Sequence, residues 1–250
     1  MRNPLPWIIA LGLAAVLRAT DIEVLLRNAR TAEAAMDARE ALQLYLKADE
    51  AHPDDAFILQ KIARQYSDLV EDQPSLEDRR RYAQTALEFS QRAVARDPKN
   101  AVNVLSLAIC HGKLALCSET RTKLEYSRLV KAEAEQALAL DPGYAWAHHV
   151  LGRWHREVAL LGATSKFVVR LFYGGLPAAS VETGIRELAR AAELEPDELN
   201  HWLELGFAYA AAGQPAQARR QWQHGLAMPS RNKPDEAAKQ RAREALARLD

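Results

Sequence analysis

The chain has 250 residues, of which 48% are hydrophobic and 26% charged, and its 33 basic side chains balance 33 acidic ones. This composition is typical of an ordinary soluble chain that is long enough to bury a core. The formal net charge of zero argues against an extended surface for nucleic acid or anionic membranes and leaves room for local patches only. We therefore expect no nucleic-acid partner.

The first twenty residues differ from the rest of the chain. Arg2 supplies a positive start, residues 8–17 form a run without charge, and Ala19 offers a small side chain before a cleavage point. This pattern is typical of a secretory signal peptide, and the run is shorter than the about 20 apolar residues of a transmembrane helix. We predict a signal peptide or N-terminal hydrophobic segment over residues 1–20 and an exported, periplasmic or envelope-associated protein. The alternative is a cytoplasmic protein that keeps this segment.

Residues 21–250 are predicted to form one all-α repeat domain. Ala-rich amphipathic stretches end in a proline four times, at Pro53, Pro98, Pro142 and Pro196. Apolar residues recur in these stretches with helical spacing, and no useful length alternates with the period of two that a strand needs. Proline ends each helix because it lacks the N–H and clashes with the preceding turn. The recurrence predicts an array of helical hairpins, an architecture that binds other molecules more often than it catalyses.

The last copy of the repeat is the clearest. Small residues at Gly206, Ala218 and Gly225 let two antiparallel helices approach closely, while large residues fill the space between them. One such hairpin cannot bury its apolar face alone, so it must stack on its neighbours. The spacing is that of a tetratricopeptide (TPR) repeat of 34 residues, carried by Trp202, Leu205, Gly206, Tyr209, Gly213, Ala218, Trp222, Gly225 and Pro229.

The distances between the prolines predict where the hairpins carry extra residues. They are 45, 44 and 54 residues (98−53, 142−98 and 196−142), against 34 in a regular repeat. A small residue recurs ten positions after each proline, so we place the excess in loops between the two helices of each hairpin. The first helices are predicted near 55–70, 100–117, 144–160 and 198–212, and the second helices near 77–95, 123–139, 180–194 and 215–227. A weaker hairpin at 22–34 and 37–50 precedes them and a helix near 234–249 caps the array, which makes an α-solenoid of about five hairpins.

Several segments resemble the regulator of microtubule dynamics family, a TPR-like group. The most specific are LGRW at Leu151–Trp154 and LFYG at Leu171–Gly174, since a generic TPR repeat has neither. The resemblance is distinct over Ala101–Asp250 and weaker over residues 22–100. It implies a non-catalytic adaptor, which in eukaryotic members is associated with microtubules and organelle contacts. The Ala- and Arg-rich composition and the predicted export indicate a bacterial member, so we expect microtubules as partners only if the eukaryotic role applies.

The sequence predicts no catalytic, cofactor or metal site. It has no Gly-rich phosphate loop, no GxSxG and no HExxH motif. His148 and His155 lie two turns apart on a predicted helix, too far for zinc ligands without others nearby, so we interpret both as packing residues. Cys110 and Cys117 lie roughly 10 Å apart on another predicted helix, beyond the reach of a disulfide. We predict a protein that is not an enzyme.

The first helices line the concave side of a TPR array, so their inward positions predict a groove. Its mixture of apolar and basic side chains suits a protein or peptide partner, extended or helical, with hydrophobic anchors and a carboxylate. The open alternative is that the inserted loops fold into the groove and cover it. The candidate groove residues are Arg64, Leu105, Ile109, Lys113, Trp146, His149, Arg153, Arg156, Asn200, Leu203 and Phe207.

The insertion at residues 161–180 has several interpretations. Phe167, Val168, Leu171 and Phe172 stand at helical spacing with basic side chains on another side, which favours an extra helix that pads the solenoid. The alternatives are a lid over the groove or an element in contact with a membrane. A lid favours a carrier of lipids or other amphiphiles, with an apolar tunnel lined by Trp146, Leu105, Ile109, Leu203 and Phe207. An open groove of mixed charge favours the adaptor.

Overall fold

The computed structural model describes residues 21–249, and every regular element within them is a helix. The predicted signal segment, residues 1–20, lies outside the described residues. The helices are α1 (residues 21–34), α2 (Ala38–Ala51), α3 (Ala56–Leu69), α4 (Leu76–Arg96), α5 (Ala101–Leu116), α6 (Thr120–Leu140), α7 (Ala145–Ala159), α8 (Ala163–Tyr173), α9 (Val181–Leu194), α10 (Leu199–Ala211), α11 (Pro215–Ala227) and α12 (Lys233–Ala247).

The predicted hairpins are confirmed in order. The pairs α1/α2, α3/α4, α5/α6, α7/α9 and α10/α11 form five hairpins, and α12 follows as a cap. The second helices α4 and α6 have 21 residues each and exceed the predicted bounds, 77–95 and 123–139, by one to three residues at each end. They contain neither glycine nor proline, and most of their residues are good helix formers, so the extra residues of these hairpins lie mostly in long helices and not in the loops where we had placed the excess. The fourth hairpin accommodates its extra residues as a separate α-helix, α8, whereas the second has a single 3-10 turn at Val70–Asp72 between its helices.

The turns between hairpins share one geometry, which explains the constant offset after each proline. The residues before the prolines, His52, Asp97, Asp141 and Glu195, have φ between −140° and −128° and ψ between 75° and 96°. The proline ring disfavours helical angles at the residue before it. Each of these residues nevertheless donates its N–H to the carbonyl four residues earlier. The chain therefore leaves each second helix in the same direction, and the next first helix begins at the same distance.

Glycines allow the close helix contacts that the repeat pattern predicted. A Cβ on Gly206 would lie 2.4 Å from Cδ1 of Trp222, and one on Gly225 would lie 2.6 Å from Cδ2 of Leu203. In the fourth hairpin, a Cβ on Gly152 would lie 2.6 Å from Cγ of Leu188. These separations leave no room for a side chain, so α7 packs directly on α9 although α8 intervenes in the sequence.

The helices form two layers. Each first helix contacts the next one, from α3 to α5, α7, α10 and α12, whereas the second helices pack mainly on the first helices on either side. Helices that touch along one layer make that layer the inner one of a curved array. Separate clusters of buried side chains, centred on Tyr45, Leu105 and Trp222, follow one another along the array as the core.

Candidate partner-binding groove

The first helices present two rows of side chains to the concave surface. An N-terminal row stands four residues after each proline and a C-terminal row eleven residues after it. Because residues seven apart lie on the same face of a helix, both rows belong to one surface. The N-terminal row is Phe57, Val102, Trp146 and Asn200, and the C-terminal row is Arg64, Ile109, Arg153 and Phe207.

The first three helices of the groove carry exposed apolar side chains. Phe57 is 47% exposed, Val102 is 40% exposed and Ile109 is 39% exposed. Trp146 is half-buried, with its ring centroid 4.9 Å from those of His149 and His201. Apolar surface in a concavity is where a partner's side chains gain most from leaving water. This part of the groove can therefore accept hydrophobic anchors.

A buried carboxylate lies beneath the C-terminal row. Glu204 of α10 is 2% exposed and accepts hydrogen bonds from Arg156 of α7 and, at 3.0 Å, from Arg241 of α12. Arg153 Nε lies 3.8 Å from the same carboxylate. Burial by itself raises the pKa of Glu204, but the three guanidiniums outweigh it and hold that pKa well below its usual range. Glu204 is therefore ionised near neutral pH and joins three first helices.

The aromatic ring of Phe207 completes this charged cluster. The guanidinium carbons of Arg156 and Arg241 lie 5.7 and 5.5 Å from its centroid, which are distances of cation–π contacts. Arg153 and Arg156 also approach Glu157, at 3.3 and 3.4 Å. Arg156 is buried by these contacts, whereas the side chain of Arg153 remains 41% exposed on the groove.

Two buried histidines meet between α7 and α10. The Nδ1 atoms of His149 and His201 are 2.9 Å apart, so one ring donates a hydrogen bond that the other accepts. Burial lowers the pKa of His149 and lowers the pKa of His201 to about 4. Protonation of both rings would oppose two N–H donors in this contact, and the lowered pKa of each ring favours neutral imidazoles near pH 7.

At the α3 and α5 side of the groove, the charged side chains form ion pairs, and the turn before α12 lies nearby. Lys113 lies 2.6 Å from Glu71, and this hydrogen bond lowers the pKa of Glu71. Arg64 lies 3.8 Å from Asp68. Asn232, in the turn before α12, lines a small cavity together with Arg64 and Asp68 of α3. The turn before α12 therefore lies close to the second hairpin.

The structure divides the predicted groove residues into two sets. Because consecutive first helices touch, several inward positions are covered by the next helix. Asn200, for example, donates to Asp235 of α12 at 2.7 Å. The buried set, which corrects our expectation of a groove surface at these positions, is Leu105, His149, Arg156, Asn200 and Leu203. The predicted groove residues that keep some exposure to solvent are Arg64, Ile109, Lys113, Trp146, Arg153 and Phe207.

The tunnel suggested for an amphiphile carrier is not formed by the side chains named for it. Leu105 and Leu203 are packed in two separate core clusters, and Phe207 faces guanidinium groups. The segment after α8 is hydrogen-bonded to Arg128 of α6, a helix of the outer layer. This contact places the end of α8 against the outer layer and gives no support to the interpretation of α8 as a lid over the groove.

The remaining histidines and cysteines serve packing and hydrogen bonding. His148 lies 2.6 Å from Glu187 of α9, and His155 packs against Trp154 with ring centroids 5.1 Å apart. Cys110 and Cys117 are buried free thiols. In the part of the chain that the structure describes, no group of three or more His, Cys, Asp or Glu side chains is placed to hold a metal ion.

One family model, that of regulator of microtubule dynamics protein 1-3, matches residues 25–250. The chain belongs to this family. Curated members include regulator of microtubule dynamics protein 3 of Xenopus laevis, 28% identical over 63% of this chain and 34% of its own length. Protein 2 of Mus musculus is 23% identical over 91% of this chain and 56% of its own length. The chain thus spans about one third to just over half of these family members.

A solved structure supports the repeat architecture. The thermophilic TPR protein TTC0263 of Thermus thermophilus superimposes with a TM-score of 0.65 over 90% of this chain and 99% of its own, at 21% identity. At this identity the likeness establishes the fold alone. The all-α, TPR-like solenoid predicted from the proline-bounded repeats is confirmed.

Sequence reasoning missed two residues that shape the groove, Glu204 and Arg241. Glu204 stands between the core residues Leu203 and Leu205. A charged residue between two apolar residues of the repeat pattern could have indicated a buried carboxylate. The arginines of the preceding first helix were the complementary signal, because a buried carboxylate needs a cationic partner. Arg241 lies on the capping helix, which the groove prediction did not include.

Proposed function

We propose that the chain is a non-catalytic adaptor whose concave groove binds a segment of a partner protein. The repeat fold and the family point to a protein-interaction role. The observation that carries the finer proposal is the exposed apolar patch of Phe57, Val102 and Ile109 on adjacent first helices, with Trp146 beside it. Contiguous exposed apolar surface of this kind marks interaction sites on monomers.

The groove favours a peptide with apolar anchors and a modest acidic character. Arg156 is buried with Glu204 and is unavailable to a partner. Arg64 and Arg153 remain partly exposed, but each already approaches a carboxylate of its own helix. Exposed ion pairs contribute little to binding, so we expect the apolar contacts to supply most of the affinity and the arginines to favour an acidic flank.

The relatives bear the name of microtubule regulators, and that activity belongs to proteins of which this chain spans only a part. Our proposal is therefore limited to protein binding by the shared repeat region.

We also propose that the protein is exported, because Arg2 supplies a positive start and residues 8–17 form an uncharged run. The intact mass of the protein from its own cells tests this, since cleavage removes about the first 19 residues and a full-length mass contradicts export.

A matched set of variants tests the groove. Peptides selected from a random display library on the full chain are titrated calorimetrically against the parent, Val102→Asp and Ile109→Asp. The control is Leu129→Asp on α6, because Leu129 is 41% exposed, like the two test residues, but lies in the outer layer. Circular dichroism of each variant checks that the fold is retained.

The two groove variants are expected to weaken peptide binding at least tenfold, because a buried anchor contributes about 1.5–3 kcal/mol. The Leu129→Asp control is expected to bind as the parent does. Peptides that bind all three variants equally well, or a library that yields no groove-dependent peptide, would refute the proposal.

A further inference from the structure

Helix α8 has only 11 residues, but four of its large apolar side chains are exposed to solvent. Phe167, Val168, Leu171 and Phe172 are between 41% and 70% exposed, while Val169 alone among its residues is buried. Leu160, in the turn just before the helix, is 58% exposed. A patch of this kind on a monomer marks an interaction surface, and the groove does not use it.

The exposed side chains form one face. At about 100° per residue, the four side chains of α8 fall within an arc of roughly 140°. Lys166 and Arg170 follow one another along the edge of that arc, next to Phe167. An apolar face with basic side chains along its edge is the pattern of a helix that lies in a membrane interface.

The charges of the segment have one sign. Residues 158–181 contain no acidic side chain, and Lys166 and Arg170 are their only charged groups. On the neighbouring α6, Arg121 pairs with Glu125 and Lys131 pairs with Glu135, so this helix does not offset the positive charge of α8. The surface is therefore complementary to an anionic one.

The C-terminal end of α8 is also held in place by hydrogen bonds to α6. Arg128 donates hydrogen bonds to the carbonyls of Tyr173 and Gly175. Gly174 and Gly175 have φ of 76° and 82°, a left-handed conformation that ends α8 and returns the chain to α9. The C-terminal end of α8 is thus held beside α6, a helix of the outer layer.

The geometry points to α8 as a docking element for the surface of an anionic lipid bilayer. The apolar side chains, Leu160 included, present on the order of 500 Å², taking about 150–250 Å² for a whole aromatic side chain. A stable dimer needs about 800 Å² from each partner, and a second copy would bring the same positive charges to the contact. No helix within residues 21–249 is long and apolar enough to cross a bilayer, so the contact we propose is peripheral.

Vesicle flotation tests this proposal with the full chain. The vesicles consist of phosphatidylcholine alone or of phosphatidylcholine and phosphatidylglycerol in equal parts. The test variant is Leu171→Asp, and its control is Leu76→Asp on α4, because the two leucines are 62% and 56% exposed. Both are surface positions, so both variants are expected to fold, which thermal melting verifies.

We expect the parent and Leu76→Asp to float with the anionic vesicles at low salt and to stay behind with phosphatidylcholine alone. Leu171→Asp is expected to lose at least tenfold in partitioning, because a buried leucine is replaced by a charge that the lipid repels. Arg170→Gln is expected to lose about fivefold and to reduce the salt dependence.

A second measurement locates the contact. Both natural cysteines are buried, so an environment-sensitive fluorophore can be attached selectively at Phe172→Cys and, as a control, at Leu76→Cys. Only the label at position 172 is expected to brighten on anionic vesicles. Equal flotation of Leu171→Asp and the parent, or no flotation of the parent, overturns the proposal. So does a concentration-dependent dimer that Leu171→Asp abolishes, which would assign the face to a second copy of the chain.

Discussion

Replacement of Glu204 by glutamine removes the negative charge that joins α7, α10 and α12. The variant keeps the size of the side chain and one acceptor oxygen, so the change is chiefly electrostatic. Arg156, whose side chain is 10% exposed, loses its buried partner and keeps only the exposed Glu157, at 3.4 Å, in a place that water hardly reaches. Arg241 is 50% exposed and can turn into the solvent.

The expected cost follows from this asymmetry. Breaking a buried ion pair by removing one partner costs about 3–5 kcal/mol. Because one of the two directly bonded arginines regains water and glutamine retains an acceptor, we expect the lower end, about 3 kcal/mol. For a chain of this size that loss lowers the melting temperature by about 6–12 °C.

Urea titration followed by circular dichroism measures the difference in free energy of unfolding. The control is Glu193→Gln, because Glu193 is 66% exposed and pairs with the half-exposed Arg190; its loss should stay below about 1 kcal/mol. A double variant, Arg156→Met with Glu204→Met, should lose less than Glu204→Gln alone, since it leaves no buried charge unpaired.

The pH dependence provides a separate check. A carboxyl group with a lowered pKa stabilises the fold fully above its unfolded pKa of about 4.3, and the contribution is lost as the pH falls further through the folded pKa. Glu204→Gln should therefore flatten the acid limb of the stability curve. A loss below about 1 kcal/mol together with an unchanged acid limb would refute our account of this cluster.

Three further substitutions test the packing and the histidine pair. Gly152→Ala places a methyl group 2.6 Å from Cγ of Leu188 and is expected to cost about 1–3 kcal/mol by overpacking, measured by urea titration. Gly112→Ala, with nothing within 4 Å of the added Cβ, should be stabilising instead. His201 has a folded pKa of about 4, so stability should fall by up to about 3 kcal/mol between pH 6.5 and 4 as the unfolded chain takes up the proton. Thermal melts of His201→Leu should show a shallower fall, and an unchanged slope would contradict the assignment.

The hairpins could be predicted because their signals are local. Pro142 and Pro196 set the direction of the chain, and Gly152 marks where α7 meets its partner helix. The bounds of α4 and α6 were predicted closely, but the excess over a regular repeat was assigned to loops, because about ten extra residues with good helix propensity fit either a helix or a polar loop. Tertiary packing decides between the two.

The groove was predicted less well because burial there depends on the curvature of the array. Ile109 and Leu105 are both inward positions of α5, yet only Leu105 is covered by the neighbouring helix. A spacing rule assigns both to the concave side and carries no information on how closely consecutive helices approach. The place of α8 likewise depends on a long-range contact, that of Arg128, which no local pattern announces.

The shared carboxylate of Glu204 has a consequence for how the array comes apart. In an open solenoid each repeat contacts only its neighbours, and the terminal repeat frays first. Here the last helix holds Glu204 through Arg241, and the turn before it, at Asn232, meets α3. Release of α12 therefore removes Arg241 from Glu204, which weakens the ion-pair cluster that joins α7 and α10. It also moves Asn232 away from α3 of the second hairpin. The C-terminal half is expected to exchange its amide protons as one cooperative unit, so a truncation that removes α12 should cost more than the loss of one surface helix.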